Sequence, residues 1–188
     1  PENGLPLPVM KIEEPTVKMT FGANTSPFAG TEGEFSTARH LKERLDRELL
    51  NDVALRIEKG EGDSQFVVSG RGELHLAILI EKMRREGYEV QVSRPQVIFK
   101  EENNKTLEPF EAVSIECPEA FTGIVIEKMG KRRAEMKDMV VENGQAFLEF
   151  NIPTRGLIGY RSEFLTDTKG QGILNTLLLG YHPKLDGE

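Results

Sequence analysis

The chain repeats one succession of strands and helices, and this repeat constrains its fold more than any other feature of the sequence. Each copy predicts the order β-α-β-β-α-β from alternating and helical hydrophobic periods. The copies also share identities where the third strand meets the second helix. The first has Phe66-Val-Val-Ser-Gly-Arg71-Gly72 and the second has Phe150-Asn-Ile-Pro-Thr-Arg155-Gly156, 84 positions later. Shared order and shared identities together indicate a duplicated unit.

The first copy contains four predicted strands and two predicted helices. Apolar residues recur at every second position in the strands and three or four positions apart in the helices. The segments are, in order, strand 17–21, a helix that Ser36 or Thr37 caps and that carries Leu41, Leu45 and Leu49, strands 54–59 and 65–69, helix 73–85 and strand 88–93. This is the split β-α-β-β-α-β order of a ferredoxin-like sandwich.

The second copy follows the same order. Its segments are strand 110–117, helix 118–129, strands 136–141 and 146–152 around the turn Glu142-Asn143-Gly144, short helix 157–165 and strand 173–179. The sequence therefore predicts an α+β protein of two ferredoxin-like sandwiches in tandem. We predict an extended linker over residues 1–15, a first domain over 16–100, a polar hinge over 101–108 and a second domain over 109–188.

Composition favours a soluble, cytoplasmic protein. The net charge is −7, so contact with nucleic acid would need a local basic cluster rather than bulk positive charge. The longest apolar run, residues 76–80, is far shorter than the roughly 18 residues that a membrane span needs, which argues against membrane contact. The single Cys117 fits a reducing compartment. The opening Pro-Glu-Asn-Gly without Met at position 1 suggests a piece of a longer protein.

The residues that usually carry catalysis are not arranged for it. The sequence has no G-x-x-x-x-G-K-[ST] phosphate loop and no ligand spacing typical of zinc. His40, His75 and His182 fall on different elements, and a structural role is the simpler interpretation of each. Cys117 ends a predicted strand, where a small buried residue is expected. We therefore predict no catalytic, cofactor or metal site in this chain.

One local cluster of positive charge is unusual in an acidic sequence. Lys128, Lys131, Arg132 and Arg133 gather where the third helix ends. Cations there complement the helix dipole, but four of them within six residues also form a compact site for phosphate oxygens. The sequence leaves both interpretations open, as it does for Arg71 and Arg155 at the repeated junction.

Several long motifs resemble known proteins. The first copy is similar to the third domain of elongation-factor-G-like translational GTPases in Gly70-Arg-Gly-Glu-Leu-His-Leu-Ala-Ile-Leu-Ile-Glu and Ser93-Arg-Pro-Gln-Val-Ile-Phe-Lys-Glu. The second copy resembles their fifth domain in Pro118-Glu-Ala-Phe-Thr-Gly and Gly130-Lys-Arg-Arg. The short connection between the copies, with Asn24-Thr-Ser-Pro-Phe-Ala-Gly and Arg155-Gly-Leu-Ile-Gly-Tyr-Arg-Ser-Glu-Phe-Leu-Thr, resembles the BipA or TypA branch.

The resemblance implies a ribosome-docking portion of a larger GTPase. GTP and magnesium would bind an upstream GTPase domain, and the parent would take part in stress adaptation and ribosome assembly. Expected partners are ribosomal RNA, ribosomal proteins and that GTPase domain. The expected RNA-facing residues are Lys128, Lys131, Arg132, Arg133, Arg155 and Arg161. Ala134 departs from the family, which has glycine there, so the backbone path after the third helix is expected to differ.

A second hypothesis comes from another class of function. Paired ferredoxin-like domains also serve as regulatory modules that sense small molecules or bind proteins, because a fold does not fix a function. A hydrolase or transferase would require buried titratable side chains with strongly shifted pKa values.

Overall fold

The computed structural model describes residues 14–25, 27, 29–30 and 33–186. They fall into two compact units, one ending at Arg94 and the other beginning at Pro95. Residues 1–13 of the predicted linker lie outside the described residues. No helix in the described ranges combines the length and the apolar character needed to cross a membrane.

The first unit has the predicted order of elements. They are β1 (Val17–Ala23), α1 (Ala38–Asn51), β2 (Arg56–Lys59), β3 (Gln65–Gly70), α2 (Glu73–Arg85) and β4 (Val90–Val92). The strands pair antiparallel in the order β2-β3-β1-β4. Thr37 is the residue that caps α1, since its hydroxyl accepts a hydrogen bond from the His40 amide at 3.3 Å.

The helices of the first unit bury their apolar stripes against one side of this sheet. The core contains Val17, Met19, Phe21, Leu41, Leu45, Leu55, Val68, Leu76, Leu79, Ile80, Met83 and Tyr88. The helix stripes predicted from the spacing of leucines therefore supply the packing, apart from Leu49, which is only partly buried. Arg44 joins α1 to the end of α2, because its guanidinium binds both carboxylate oxygens of Glu86 at 2.5 and 2.8 Å.

The second unit repeats this arrangement with longer strands. Its elements are β5 (Gln96–Val97), β6 (Lys100–Glu102), β7 (Lys105–Pro118), a 3-10 turn (Glu119–Phe121), α3 (Thr122–Lys131), β8 (Glu135–Glu142), β9 (Gln145–Pro153), α4 (Thr154–Leu157), α5 (Tyr160–Asp167) and β10 (Ile173–Pro183). The sheet order is β10-β7-β9-β8, with β6 paired to β7. The two sheets share one topology, which confirms the α+β fold of two ferredoxin-like sandwiches.

Residues 101–108, predicted as a hinge, form part of a β-hairpin instead. β6 and β7 pair antiparallel, with Lys100 opposite Leu107. Asn103 and Asn104 make the turn at φ values of 51° and 60°. Asparagine tolerates this left-handed conformation, so a polar stretch with the composition of a linker closes a hairpin. The second unit accordingly begins before the predicted residue 109.

The predicted helix 157–165 is two helices in the structure. α4 ends at Leu157, and α5 begins after Gly159, whose φ of 75° interrupts the helical path. The other predicted helix of this unit, 118–129, begins as a 3-10 turn before α3. The break between α4 and α5 leaves the carbonyl groups of Gly156 and Ile158 able to accept hydrogen bonds from Arg132 of the basic cluster.

Strand register identifies equivalent positions in the two units. Phe21 lies opposite Phe66 in the first unit, as Val113 lies opposite Phe150 in the second. Continuing this register places Glu108 at the position of Thr16, across from the repeated arginine. It likewise places Glu111 at the position of Met19. The second unit therefore holds carboxylates at two positions where the first unit has a threonine and a core methionine.

Candidate nucleic-acid interface

The third helix ends in a tight hydrogen-bonded turn that places one arginine in an unusual conformation. The Arg133 amide donates to the Gly130 carbonyl at 3.1 Å, and the Ala134 amide donates to the Met129 carbonyl at 3.0 Å. This pair of bonds defines a Schellman turn, whose left-handed position usually holds glycine. Arg133 occupies it with a φ of 67°. The next residue, Ala134, stands where the resembling proteins have glycine, and it packs against the core of the second unit.

The side chain of Arg132 points into the protein rather than toward solvent. One of its terminal nitrogens donates to the carbonyls of Gly156 and Ile158, at 2.8 and 3.0 Å. The other lies 3.3 Å from a carboxylate oxygen of Glu163, and the guanidinium sits 5.2 Å from the centre of the Tyr160 ring. Arg132 therefore holds the break between α4 and α5 against the end of α3.

The two lysines of the cluster are paired, but in different surroundings. Lys128 lies 2.7 Å from Asp167 and 3.7 Å from Glu163, both on α5. The hydrogen bond to Asp167 raises the pKa of the Lys128 ammonium group. Lys131 pairs with Glu127 one turn earlier at 2.5 Å, with both side chains largely exposed. Such an exposed pair adds little stability, so a phosphate can replace Glu127 at little cost.

The remaining two predicted residues also bind groups of their own unit. The Arg155 Nε donates to Glu108 at 2.6 Å, and a terminal nitrogen donates to the Leu185 carbonyl at 3.0 Å. The Glu108 side chain is fully buried. Arg161 donates to the Leu174 carbonyl at 3.3 Å. Among the six predicted residues, Arg133 has an exposed side chain with no ion pair or hydrogen bond to the described part of the chain.

The equivalent arginine of the first unit has a different environment. Thr16, buried at the position of Glu108, donates its hydroxyl to the backbone carbonyl of Arg71 at 3.1 Å. Thr16 has no charge to pair with the guanidinium, the Arg71 residue is exposed, and its positive charge lies near the Asp52 carboxylate. Glu108 was not among the residues predicted from the sequence. Its position directly opposite the repeated arginine in the strand register is the signal that would have found it.

Comparisons with known proteins agree with the two units and their order. Residues 34–94 match the family Elongation Factor G, domain III, and residues 105–185 match Elongation factor G C-terminus. Over 97% of its length the chain is 54% identical to the large ribosomal subunit assembly factor BipA of Synechocystis sp., of which it covers 31%. It is 55% identical to the factor of that name in Bacillus subtilis, with 97% of this chain and 30% of that one covered. The chain belongs to the BipA/TypA family.

Other similarities have the same extent. A chloroplastic TypA-like elongation factor protein of Arabidopsis thaliana is 54% identical over 96% of this chain and 27% of its own length. The chain thus spans about a third or less of the BipA/TypA relatives that it matches. A crystal structure of a Thermus thermophilus protein aligns with a TM-score of 0.57 and 15% identity, over 94% of this chain and 42% of that one. At this identity the likeness supports the fold alone.

The BipA/TypA chain also buries a second carboxylate beside α4. Burial raises the pKa of Glu111 above its usual value, and hydrogen bonds from Thr154 and Thr176 oppose this effect in part. The Thr154 hydroxyl donates to Glu111 at 3.0 Å. Both hydroxyls and the charge of Arg161 lie around the carboxyl group, with no second titratable acid or base bonded to it among the described residues.

Replacing Glu111 by glutamine (Glu111→Gln) is expected to stabilise the second unit at neutral and alkaline pH. A raised folded-state pKa means that stability is fully present below the unfolded carboxyl pKa and declines as the pH rises through the folded value. Glutamine removes this decline and still accepts from Thr154. Thermal unfolding should show a higher midpoint for the variant at about pH 8 and little difference at about pH 4. An equal shift at both pH values would contradict the assignment.

Two other candidate groups, Cys117 and His75, lie in different surroundings. Cys117 is fully buried, and burial raises the pKa of its thiol. His75 lies 2.5 Å from Asp52 through Nε2, while its Nδ1 accepts a hydrogen bond from the Arg71 amide at 3.1 Å. That bond occupies the nitrogen that a general base would use. Within the described ranges, no three His, Cys, Asp or Glu side chains are grouped so that they could hold a metal ion.

Proposed function

We propose that this chain is the ribosome-docking portion of a BipA/TypA-type translational GTPase. In this proposal, contact with the ribosome is coupled to GTP hydrolysis in a GTPase domain that the sequence does not include. GTP and magnesium bind in that domain, and the protein acts in the cytoplasm during ribosome assembly and stress adaptation. The relatives named as large ribosomal subunit assembly factors and the matches to two elongation factor G regions support the proposal.

The observation that carries the docking role is the exposed guanidinium of Arg133 at the end of α3. A left-handed conformation costs a non-glycine residue about 1 kcal/mol or more. The turn places this strained residue where its cation meets solvent, next to the exposed Lys131. The carbonyls of Lys128, Met129 and Gly130 already accept hydrogen bonds from residues 132–134, which reduces their repulsion of an approaching phosphate.

The six predicted residues then divide into two roles. Arg133 and Lys131 contact phosphates of ribosomal RNA directly. Lys128, Arg132, Arg155 and Arg161 act indirectly, since their polar groups are bonded to carbonyls and carboxylates of the same unit. These four residues fix the turn, α4 and α5 behind the contact surface.

Co-sedimentation with purified bacterial ribosomes across a salt series tests the docking role. The double variant Lys131→Ala/Arg133→Ala is expected to bind more weakly at low salt. Its affinity should also fall less steeply with salt. The slope of log affinity against log salt should be smaller in magnitude by about 1.5, because each phosphate contact contributes about 0.7–0.9 to that magnitude.

Lys169→Ala provides a matched control. Lys169 follows α5 and has a positive φ of 51°, so it is also a cation in the left-handed conformation at a helix end of the same unit. It should bind ribosomes like the unmodified chain. Equal binding by the double variant and the control at low salt would refute the assignment of Arg133 and Lys131 to RNA.

A further inference from the structure

The sheet of the second unit has a face that no described helix of this unit covers. The helices pack on the face that carries Val113, Ile115, Leu148 and Phe150. Alternation along the strands sends the intervening residues to the other side. We call this side the open sheet face and define it by Glu116, Val140, Phe147, Glu149, Ile173 and Leu177.

Large apolar side chains on this face remain exposed to water. Val140 and Phe147 are each 42% exposed, Ile173 is 53% exposed and Leu177 is 65% exposed. Val140 lies opposite Phe147, Phe147 opposite Glu116, and Glu116 opposite Ile173, so these four form one row across the four strands. Exposed apolar side chains grouped on one face of a sheet are typical of an interaction site.

A shallow depression lies in the middle of the open sheet face. Its volume is about 170 Å³, and Phe147 and Ile173 border it together with Ser114 and Asn175. The adjoining carboxylates are those of Glu116 and Glu149. Apolar walls and acidic groups therefore meet at one place.

Glu116 and Glu149 give the open sheet face a negative charge around the depression. Glu116 and Glu149 have no ion-pair partner among the described residues, and Asp138 stands opposite Glu149 on the edge strand β8. These carboxylates repel the phosphates of nucleic acid. They also disfavour a second copy of this acidic chain, whose face would present the same charges. They attract lysine and arginine side chains, whose alkyl stems can lie on apolar surface.

We propose that the open sheet face binds a polypeptide segment of another protein in which basic and apolar side chains alternate. Its apolar side chains pack on Phe147 and Ile173, and its cations reach Glu116 and Glu149. The Phe147 ring offers a face to an arginine of the segment. This binding does not depend on Arg133 or Lys131. The proposal can therefore be tested separately from the proposed docking to RNA.

The test measures fluorescence anisotropy of a labelled synthetic peptide that alternates arginine and leucine, titrated with the full 188-residue chain. Glu116→Gln/Glu149→Gln is expected to weaken binding about tenfold, the effect of losing two exposed ion pairs. Phe147→Thr should weaken it comparably, and a peptide alternating arginine and serine should bind the unmodified chain less tightly. Amide hydrogen exchange confirms that each variant keeps its fold.

Glu58→Gln/Glu61→Gln is the control of equal charge, since both residues are exposed and belong to the first unit. It should leave the peptide affinity unchanged. Equal weakening by this control would show attraction to net charge alone and overturn the proposal. Two further results would overturn the proposal. If the chain binds a uridine oligonucleotide and Phe147→Thr abolishes that binding, the open sheet face binds RNA. If the chain self-associates in sedimentation and Phe147→Thr abolishes the self-association, the face binds a second copy.

Discussion

Replacing Arg155 by methionine (Arg155→Met) is expected to lower the free energy of unfolding of the second unit by about 3–5 kcal/mol, the usual effect of removing one partner of a buried ion pair. The Glu108 side chain is fully buried, and Arg155 is its ion-pair partner at 2.6 Å. Methionine retains the aliphatic volume but leaves the carboxylate without its counter-charge. The Leu185 amide, which donates to Glu108 at 2.9 Å, cannot neutralise that charge.

The chain contains no tryptophan, so amide hydrogen exchange followed by mass spectrometry is the appropriate measurement. It reports on the strands of each unit separately. Arg71→Met is the matched control, because Arg71 is the equivalent arginine of the first unit and is exposed. This control should change stability by less than about 0.5 kcal/mol. Comparable losses in the two variants would show that burial of Glu108 is not the cause.

Replacing Arg132 by methionine (Arg132→Met) is expected to destabilise the second unit by about 2–3 kcal/mol, since hydrogen bonds to charged groups contribute about 1.5–3 kcal/mol. The variant loses the donor to the Gly156 and Ile158 carbonyls and the cation beside Tyr160. Relative to the unmodified chain, the variant should exchange its amides faster in the segment between α4 and α5, and this increase should exceed any increase in strands β7 and β9.

Arg133→Ala tests whether the loss of stability in Arg132→Met comes from the contacts of Arg132 or from the loss of any positive charge at this helix end. The two arginines are adjacent, but the Arg133 side chain makes no ion pair or hydrogen bond with the described residues. Its replacement should alter stability by less than about 0.5 kcal/mol while reducing ribosome association. A loss of stability as large as that of Arg132→Met would place both arginines in the packing of α4 and α5.

The element order could be predicted because local patterns determine it. Alternating apolar residues and capped amphipathic helices identify two copies of one sandwich, and shared residues at the Arg71 and Arg155 junctions align them. The hairpin at Asn103 and Asn104 was missed because polar residues suit a linker as well as a turn. Distinguishing the two requires recognising that asparagine adopts positive φ values readily.

The roles within the basic cluster could not be predicted, because the partners are distant in sequence. Lys128 forms ion pairs with Glu163 and Asp167 on α5. Arg132 donates hydrogen bonds to carbonyl groups beside the helix break at Gly159. Nothing within the cluster itself distinguishes Arg132 from Arg133. The helix stripe of α3 gives the direction of neither side chain, since both arginines follow the last helical residue.

Under the proposed docking role, the left-handed backbone of Arg133 favours ribosome association at the expense of stability. Arg133→Gly would relieve the left-handed strain and stabilise the turn by about 1 kcal/mol, but it would also remove the exposed cation. A library selected only for resistance to heat should therefore enrich this replacement, and one selected for ribosome association should eliminate it. Heat-resistant homologues designed without regard to this position would fold well and associate poorly.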